Sequence, residues 1–211
     1  MSWRWIMLSV KNNVSTLLYR FRGNILGVIA VALALAPPSL LPDELYINNC
    51  VAGMLIALLL YIISAFLRVQ TRRYIGEHTR GKVHAADSLV TSGPYAHVRH
   101  PLYISNTGFA LGIAFFHLGV SFWVVPFMFV VIAFEVALSQ IEDLFLEQKF
   151  GDDWRAWASK TSAFFPRFGD SKHVLPQRTF WQAFFADSST WLWLLFCNLL
   201  LVLRKVAFFY V

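Results

Sequence analysis

The residues whose types and spacing could do chemistry fall in two short stretches separated by apolar runs. The first runs from Asp87 to Tyr103, DSLVTSGPYAHVRHPLY, and the second opens with Glu142-Asp143 and continues to Phe150-Gly151 and Trp154. In the first, Gly93-Pro94 dictates a turn, because Pro presets φ and Gly takes backbone angles that other residues avoid. His100-Pro101 starts a new helix with Pro101 in the first turn, where its missing N–H costs nothing. A tight turn feeding a helix N-terminus leaves backbone N–H groups pointing outward, able to receive a carboxylate or ribose oxygen. Glu142-Asp143 places carboxylates where an apolar run gives out, so they can face that turn. Taken singly, these are an ordinary loop and a pair of solvated acids. Their combination points to a ligand site.

The elements that position these groups are apolar helices. The chain has 211 residues, 57% hydrophobic and 14% charged, against about 25% charged in a soluble domain, so it reads as a membrane protein. Twenty Phe and eight Trp suit a small helical bundle with interfacial belts. Cys50 and Cys197 both lie in apolar runs and imply neither a disulfide framework nor a metal site. His97 and His100, three apart, are too few for a metal centre.

In order, residues 1–23 read as an interfacial amphipathic helix. Asn24–Leu41 is an apolar run ending near Pro37-Pro38, read as a retained helix rather than a cleaved leader. Pro42, Asp43 and Glu44 form a short acidic turn, and Ile47–Leu67 is the cleanest membrane helix. After polar residues 68–100, Leu102–Leu118 and Phe122–Ile141 form an antiparallel hairpin across Gly119-Val120-Ser121. Residues 142–187 are polar and amphipathic, and Trp191–Leu203 is a last apolar segment, short for a full span. The expected architecture is therefore all-α, a polytopic integral membrane protein with about five transmembrane helices. It is one membrane domain: residues 1–67 as N-terminal helices, 68–167 as the core, 168–211 as an aromatic extension.

Lys and Arg set the orientation. Sixteen of the 18 fall in 1–23, 68–100 and 142–187, and none in the turns at 42–46 and 118–121. The rule puts both chemical stretches on the cytoplasmic side. Arg204 and Lys205 disagree mildly if the last segment crosses outward.

GPYxxxRHPxY, followed after an apolar hairpin by Glu142-Asp143 and Phe150-Gly151, resembles the isoprenylcysteine carboxyl methyltransferase and phospholipid methyltransferase superfamily. The LVTSG before Pro94-Tyr95 is similar to the isoprenylcysteine enzymes, and the resemblance spans roughly Arg68 to Arg167. It implies a cytoplasmic pocket without a Rossmann domain. In that pocket S-adenosylmethionine would methylate a lipid-like or amphiphilic acceptor drawn from the bilayer. Carried over, the cofactor contacts fall on Asp87, Ser88, Leu89, Val90, Tyr95, His100, Pro101, Leu102, Tyr103 and Glu142. The backbone of 87–90 and the RHP turn would bond adenine and the methionine carboxylate. Glu142 would accept a charge-assisted bond, and Tyr95 and Tyr103 would offer ring faces to adenine or the sulfonium. Arg99 reads as structural.

Three departures from the family pattern bear on substrate and packing. Ser105 replaces a glycine, implying slightly wider helix packing, and Asp87 stands where the isoprenylcysteine enzymes have histidine. Leu138 stands where those enzymes hold the substrate carboxylate with arginine, so a prenylcysteine is not the expected acceptor. Glu135, two helical turns before Glu142 on the same face, is an ionisable group inside a membrane helix and functional by default. It would bind a cationic acceptor or take its proton, or else pair with Arg72 or Arg73. Glu135 and Tyr103 are the candidate catalytic residues, with His84 a secondary candidate near the cofactor. The alternative function is an NADPH-dependent membrane sterol or enone reductase, which shares a similar RHPxY. GPY and the acid pair favour the methyltransferase over it, and over a non-catalytic scaffold. No nucleic-acid partner is expected.

Overall fold

The computed structural model describes residues 43–75, 88–167 and 174–209, with 21, 25, 28, 29 and 31–33. The amphipathic segment 1–20, most of Asn24–Leu41, and the site candidates His84 and Asp87 lie outside the described residues. The elements are α1 (Asp43–Arg72), a 3₁₀ turn (Gly93–Ala96), α2 (Pro101–Leu118), α3 (Val124–Phe150), α4 (Asp152–Ala158), α5 (Phe180–Phe185) and α6 (Ser188–Phe209). Among the described residues there is no strand, only an isolated parallel bridge between Val98 and Ser162.

α1 is longer than its apolar run. Its backbone absorbs Asp43 and Glu44, expected in a turn. Along one side Leu55, Leu58, Leu59, Ile62, Ile63 and Phe66 are exposed, a stripe suited to lipid. The opposite side meets α2 through small residues. β-Carbons at Gly53, Gly108 and Gly112 would run into Gly119 and Phe115, Ser64, and Tyr61 respectively. Close approach across small residues is how membrane helices gain packing without a hydrophobic drive. Ser105 joins this seam fully buried, its Oγ donating to the Ser64 carbonyl at 2.9 Å. The hydroxyl thus bridges the seam where the family pattern has glycine.

α2 begins at Pro101 and closes at Gly119, whose φ of +66° and bond to the Phe115 carbonyl turn the chain back. Asn49 on α1 pins that turn by accepting from the Val120 amide at 2.7 Å. Leu33, Ala114, Leu118 and Val124 form the buried core beneath it. α3 returns antiparallel and does not stop at Ile141. It runs on through Phe150 to Gly151, at φ +54°, so Glu142-Asp143 lies within a helix and not at its end.

Three described helices are long and apolar enough to cross a membrane: Asn49–Arg72, Val124–Phe150 and Ser188–Val206. The last starts three residues before the expected segment, at Ser188, and gains the length that segment lacked. α2 is shorter and interrupted by Ser105, Asn106, Thr107 and His117. The protein is an all-α membrane protein.

Candidate active site

The antiparallel α2–α3 hairpin brings the two chemical stretches to the same end of the bundle. Gly93 opens the 3₁₀ turn at φ +62°, a conformation that favours glycine, and a β-carbon there would fall on the Tyr74 ring. Pro94 follows in the first turn position, and its carbonyl accepts from the His97 and Val98 amides. The next two amides are also used within the protein. Arg99 N–H donates to the Ser162 carbonyl at 2.8 Å and His100 N–H to the Ala163 carbonyl at 3.1 Å. The expectation that the RHP turn offers its amides to a ligand is therefore corrected, because the segment after α4 pairs with them. Within α2 the intrahelical ladder starts with Ile104 N–H to His100 carbonyl. The Leu102 amide precedes it in the first turn, where no intrahelical acceptor exists.

Glu142 and Asp143, about 100° apart on a helix, divide their work. Asp143 turns to the RHP segment, with Oδ2 3.0 Å from Arg99 Nη2 and Oδ1 3.1 Å from His100 Nε2. Arg99 also donates to the carbonyls of Ala158 and Thr161 and lies 5.8 Å over the Trp154 ring. That is the structural role expected of it. His100 is buried, edge-on to Tyr103 with ring centroids 5.5 Å apart.

Glu142 turns the other way, into a cavity of about 570 Å³. Ser88, Leu89, Val90 and Tyr95 line it from the turn region, and His100, Leu102 and Tyr103 from the start of α2. α3 contributes Val131, Glu135, Leu138 and Glu142, which share one face at helical spacing. Glu135 is 1% exposed and Leu138 2%. Of the candidates, only Pro101 among the described residues stays out of this wall. It is buried at the first position of α2. The Tyr95 phenol is held well above its ordinary range by burial first and by the negative charge of Glu142 second. It therefore stays neutral.

The sequence reading left out a second polar group on the same cavity. Arg68 and Arg72, one turn apart at the end of α1, both reach Asp187, which is 1% exposed. Arg68 Nε lies 2.5 Å and Arg72 Nε 3.2 Å from the same carboxylate oxygen. Arg68 also donates to Asn106 Oδ1 at 2.6 Å and Thr190 Oγ1 at 3.1 Å. Arg68, Arg72, Asn106 and Thr190 all line the cavity. The helix-three face alone has no basic residue, as expected, yet the cavity as a whole holds charges of both signs. In sequence Arg68 read as an orientation marker, and Arg72 also as an alternative partner of Glu135. The available signal was Asp187, an acid alone in the aromatic run between Phe184-Phe185 and Trp191.

Residues 52–153 match the family described as phospholipid methyltransferase. Through this segment, just under half of its length, the chain is similar to the integral membrane methyltransferases. Neither the comparison with curated proteins nor that with solved structures gives a match. The matched segment begins inside α1 and ends inside α4. It therefore includes Arg68, Arg72, the GPY and RHP residues and the whole cavity face of α3. It stops short of Asp187 and α6.

Proposed function

We propose that this protein transfers a methyl group from S-adenosylmethionine to the amine of a lipid-like amphiphile, at the cytoplasmic end of the bundle. The observation that carries the reading is the convergence of Ser88–Val90, Tyr95, Leu102, Tyr103 and Glu142 on one cavity, within the segment that matches the methyltransferase family. Its volume lies within the roughly 300–1,000 Å³ range of small-molecule sites.

The donor set suits the cofactor: a carboxylate for an ammonium or ribose hydroxyls, and two tyrosine rings for adenine or a sulfonium. When bound there, S-adenosylmethionine supplies an electrophilic methyl group. The residues of this chain bind, orient and keep water out. Glu142 holds the cofactor's polar groups, and His100, its Nε2 3.1 Å from Asp143 Oδ1, packs beside Tyr103. An ammonium acceptor must lose a proton before it can react, and Glu135, buried on the same wall, takes it. Positioning in a dry site supplies the rest.

The matched family, phospholipid methyltransferase, accords with a cavity that holds carboxylates and guanidiniums together. A head group bearing amine and phosphate would meet Glu135 and the Arg68–Arg72 pair. A prenylcysteine carboxylate would face Leu138 where the isoprenylcysteine enzymes carry an arginine, and would have to compete with Asp187 for Arg68 and Arg72. Calorimetry in detergent tests the cofactor, with S-adenosylhomocysteine expected to bind and NADPH not. Lipid extracts methylated with labelled cofactor then identify the acceptor. Binding of NADPH alone, or labelling confined to prenylcysteine esters, would overturn the proposal.

A further inference from the structure

The cavity does not end at the residues that carry the motif. Beyond Glu135 its walls become apolar, with Phe109 and Ile113 from α2 and Phe127 and Val131 from α3. Ile29 and Leu33 add to this apolar part, and a further wall comes from α6: Ser189 and Thr190 at the polar level, then Trp193, Leu194 and Cys197. These positions recur at helical spacing and form one face. Leu192, Leu195, Phe196, Leu199 and Leu203 are exposed elsewhere on the same helix, and Trp193, 59% exposed, stands at the border between the two sides. α6 thus has a lipid-facing side and a cavity-facing side.

A helix serving only as an anchor needs no buried polar attachments, which are costly at membrane depth. α6 has them along its length. Asp187 meets Arg68 and Arg72, Thr190 meets Arg68, Tyr61 donates to Asn198 Oδ1 at 2.9 Å, and Lys205 donates to the Phe116 carbonyl. Phe109 and Trp191 stack edge to face at 5.9 Å between them. These contacts fix the helix against α1 and α2 at several heights.

We infer that α6, which lies outside the matched segment, is the specificity wall of the acceptor site, and that Asp187 is the residue that positions it. The gradient along its inner face, from hydroxyls at Ser189 and Thr190 to Trp193, Leu194 and Cys197, suits an amphiphile with a polar head and a linear apolar chain. The head lies level with Arg68 and Glu135, and the chain runs along Trp193 and Leu194. This inference rests on the methyltransferase reading for what happens at the head, but not for where the chain lies.

Cys197 provides a readout that needs no turnover. With Cys50→Ala, Cys197 is the remaining thiol, and its modification by N-ethylmaleimide is followed in micelles with decyl-, tetradecyl- and octadecyl-phosphoethanolamine. The longer probes should slow modification by about tenfold, one decade of occupancy, and Leu194→Trp should erase the dependence on chain length. S-adenosylhomocysteine affinity should stay within about twofold, since Leu194 lies outside the proposed cofactor contacts. Asp187→Asn should raise the acceptor KM with little change in kcat, and Asp187→Glu should restore part of the selectivity. Should Asp187→Asn fail to fold, Leu194→Trp decides the matter. Modification of Cys197 that ignores chain length, in protein that binds S-adenosylhomocysteine, overturns the inference. Protection of Cys197 without any S-adenosylhomocysteine binding upholds the wall and removes the methyltransferase reading instead.

Discussion

Glu142 and Asp143 are adjacent acids whose environments separate them. Glu142 lines the cavity, whereas Asp143 is committed to Arg99 and His100. Glu142→Gln keeps the size and removes the charge, and charge-assisted bonds are worth about 1.5–3 kcal/mol. S-adenosylhomocysteine affinity measured by calorimetry should fall by roughly tenfold to a hundredfold. Asp143→Asn should change that affinity much less and should instead lower stability in detergent, by about 1–2 kcal/mol. Equal affinity losses in the two variants would show that the division of labour is wrong. Glu135→Gln is expected to lower kcat more than cofactor binding, because Glu135 is placed to take the acceptor's proton. The loss of kcat should shrink as pH rises and the acceptor amine deprotonates unaided. A loss of the same size at every pH would rule out the proton-accepting role.

At the scale of elements, the site depends on two close approaches that glycine makes possible. Gly93 combines a positive φ with the Tyr74 ring where a side chain would go. Gly93→Ala should cost about 1–3 kcal/mol of local strain and weaken cofactor binding by displacing Tyr95, with the melting temperature of purified protein as the check. Gly53 faces backbone, the Gly119 Cα and the Phe115 carbonyl, which cannot give way like a flexible side chain. Gly53→Val should destabilise by about 1–3 kcal/mol, as overpacking does, and reduce the folded yield. An unchanged melting temperature in Gly53→Val would mean that α1 and α2 do not pack across this glycine seam. Ser105 shows how a polar residue can occupy such a seam, since its hydroxyl bonds the Ser64 carbonyl instead of pushing the helices apart.

For the whole molecule, antiparallel α2 and α3 put the GPY turn, the RHP segment and Glu142 at one end. From the basic residues around them we propose that this end is cytoplasmic. Single cysteines introduced at Lys160 and Arg167, both exposed at this end, should resist an impermeant maleimide in right-side-out vesicles until the membrane is opened. Ready labelling from outside would reverse the orientation and the cytoplasmic supply of cofactor with it. The mild conflict from Lys205 has a local resolution. Its ammonium donates to the Phe116 carbonyl and sits 4.8 Å over the Phe116 ring, so its position is met within the protein.

Some of this was legible from the residues alone, because short-range chemistry dictates it. Gly93-Pro94 had to turn, Pro101 had to start a helix, the apolar runs had to form helices, and Glu135, Leu138 and Glu142 had to share a face by helical spacing. Boundaries set by apolarity were less secure. A helix continues while its hydrogen bonds and packing do, so α3 carried Glu142-Asp143 into its interior and stopped at Gly151. Two features were decided only by the tertiary structure. The amides of Arg99 and His100 are satisfied by Ser162 and Ala163, more than sixty residues away, where no local pattern points. The Arg68–Arg72–Asp187 group joins residues 119 positions apart. A positive charge at the end of a membrane helix reads the same in sequence whether it faces water or a buried carboxylate. Only the fold, by bringing α6 against α1, determined that these arginines line the site.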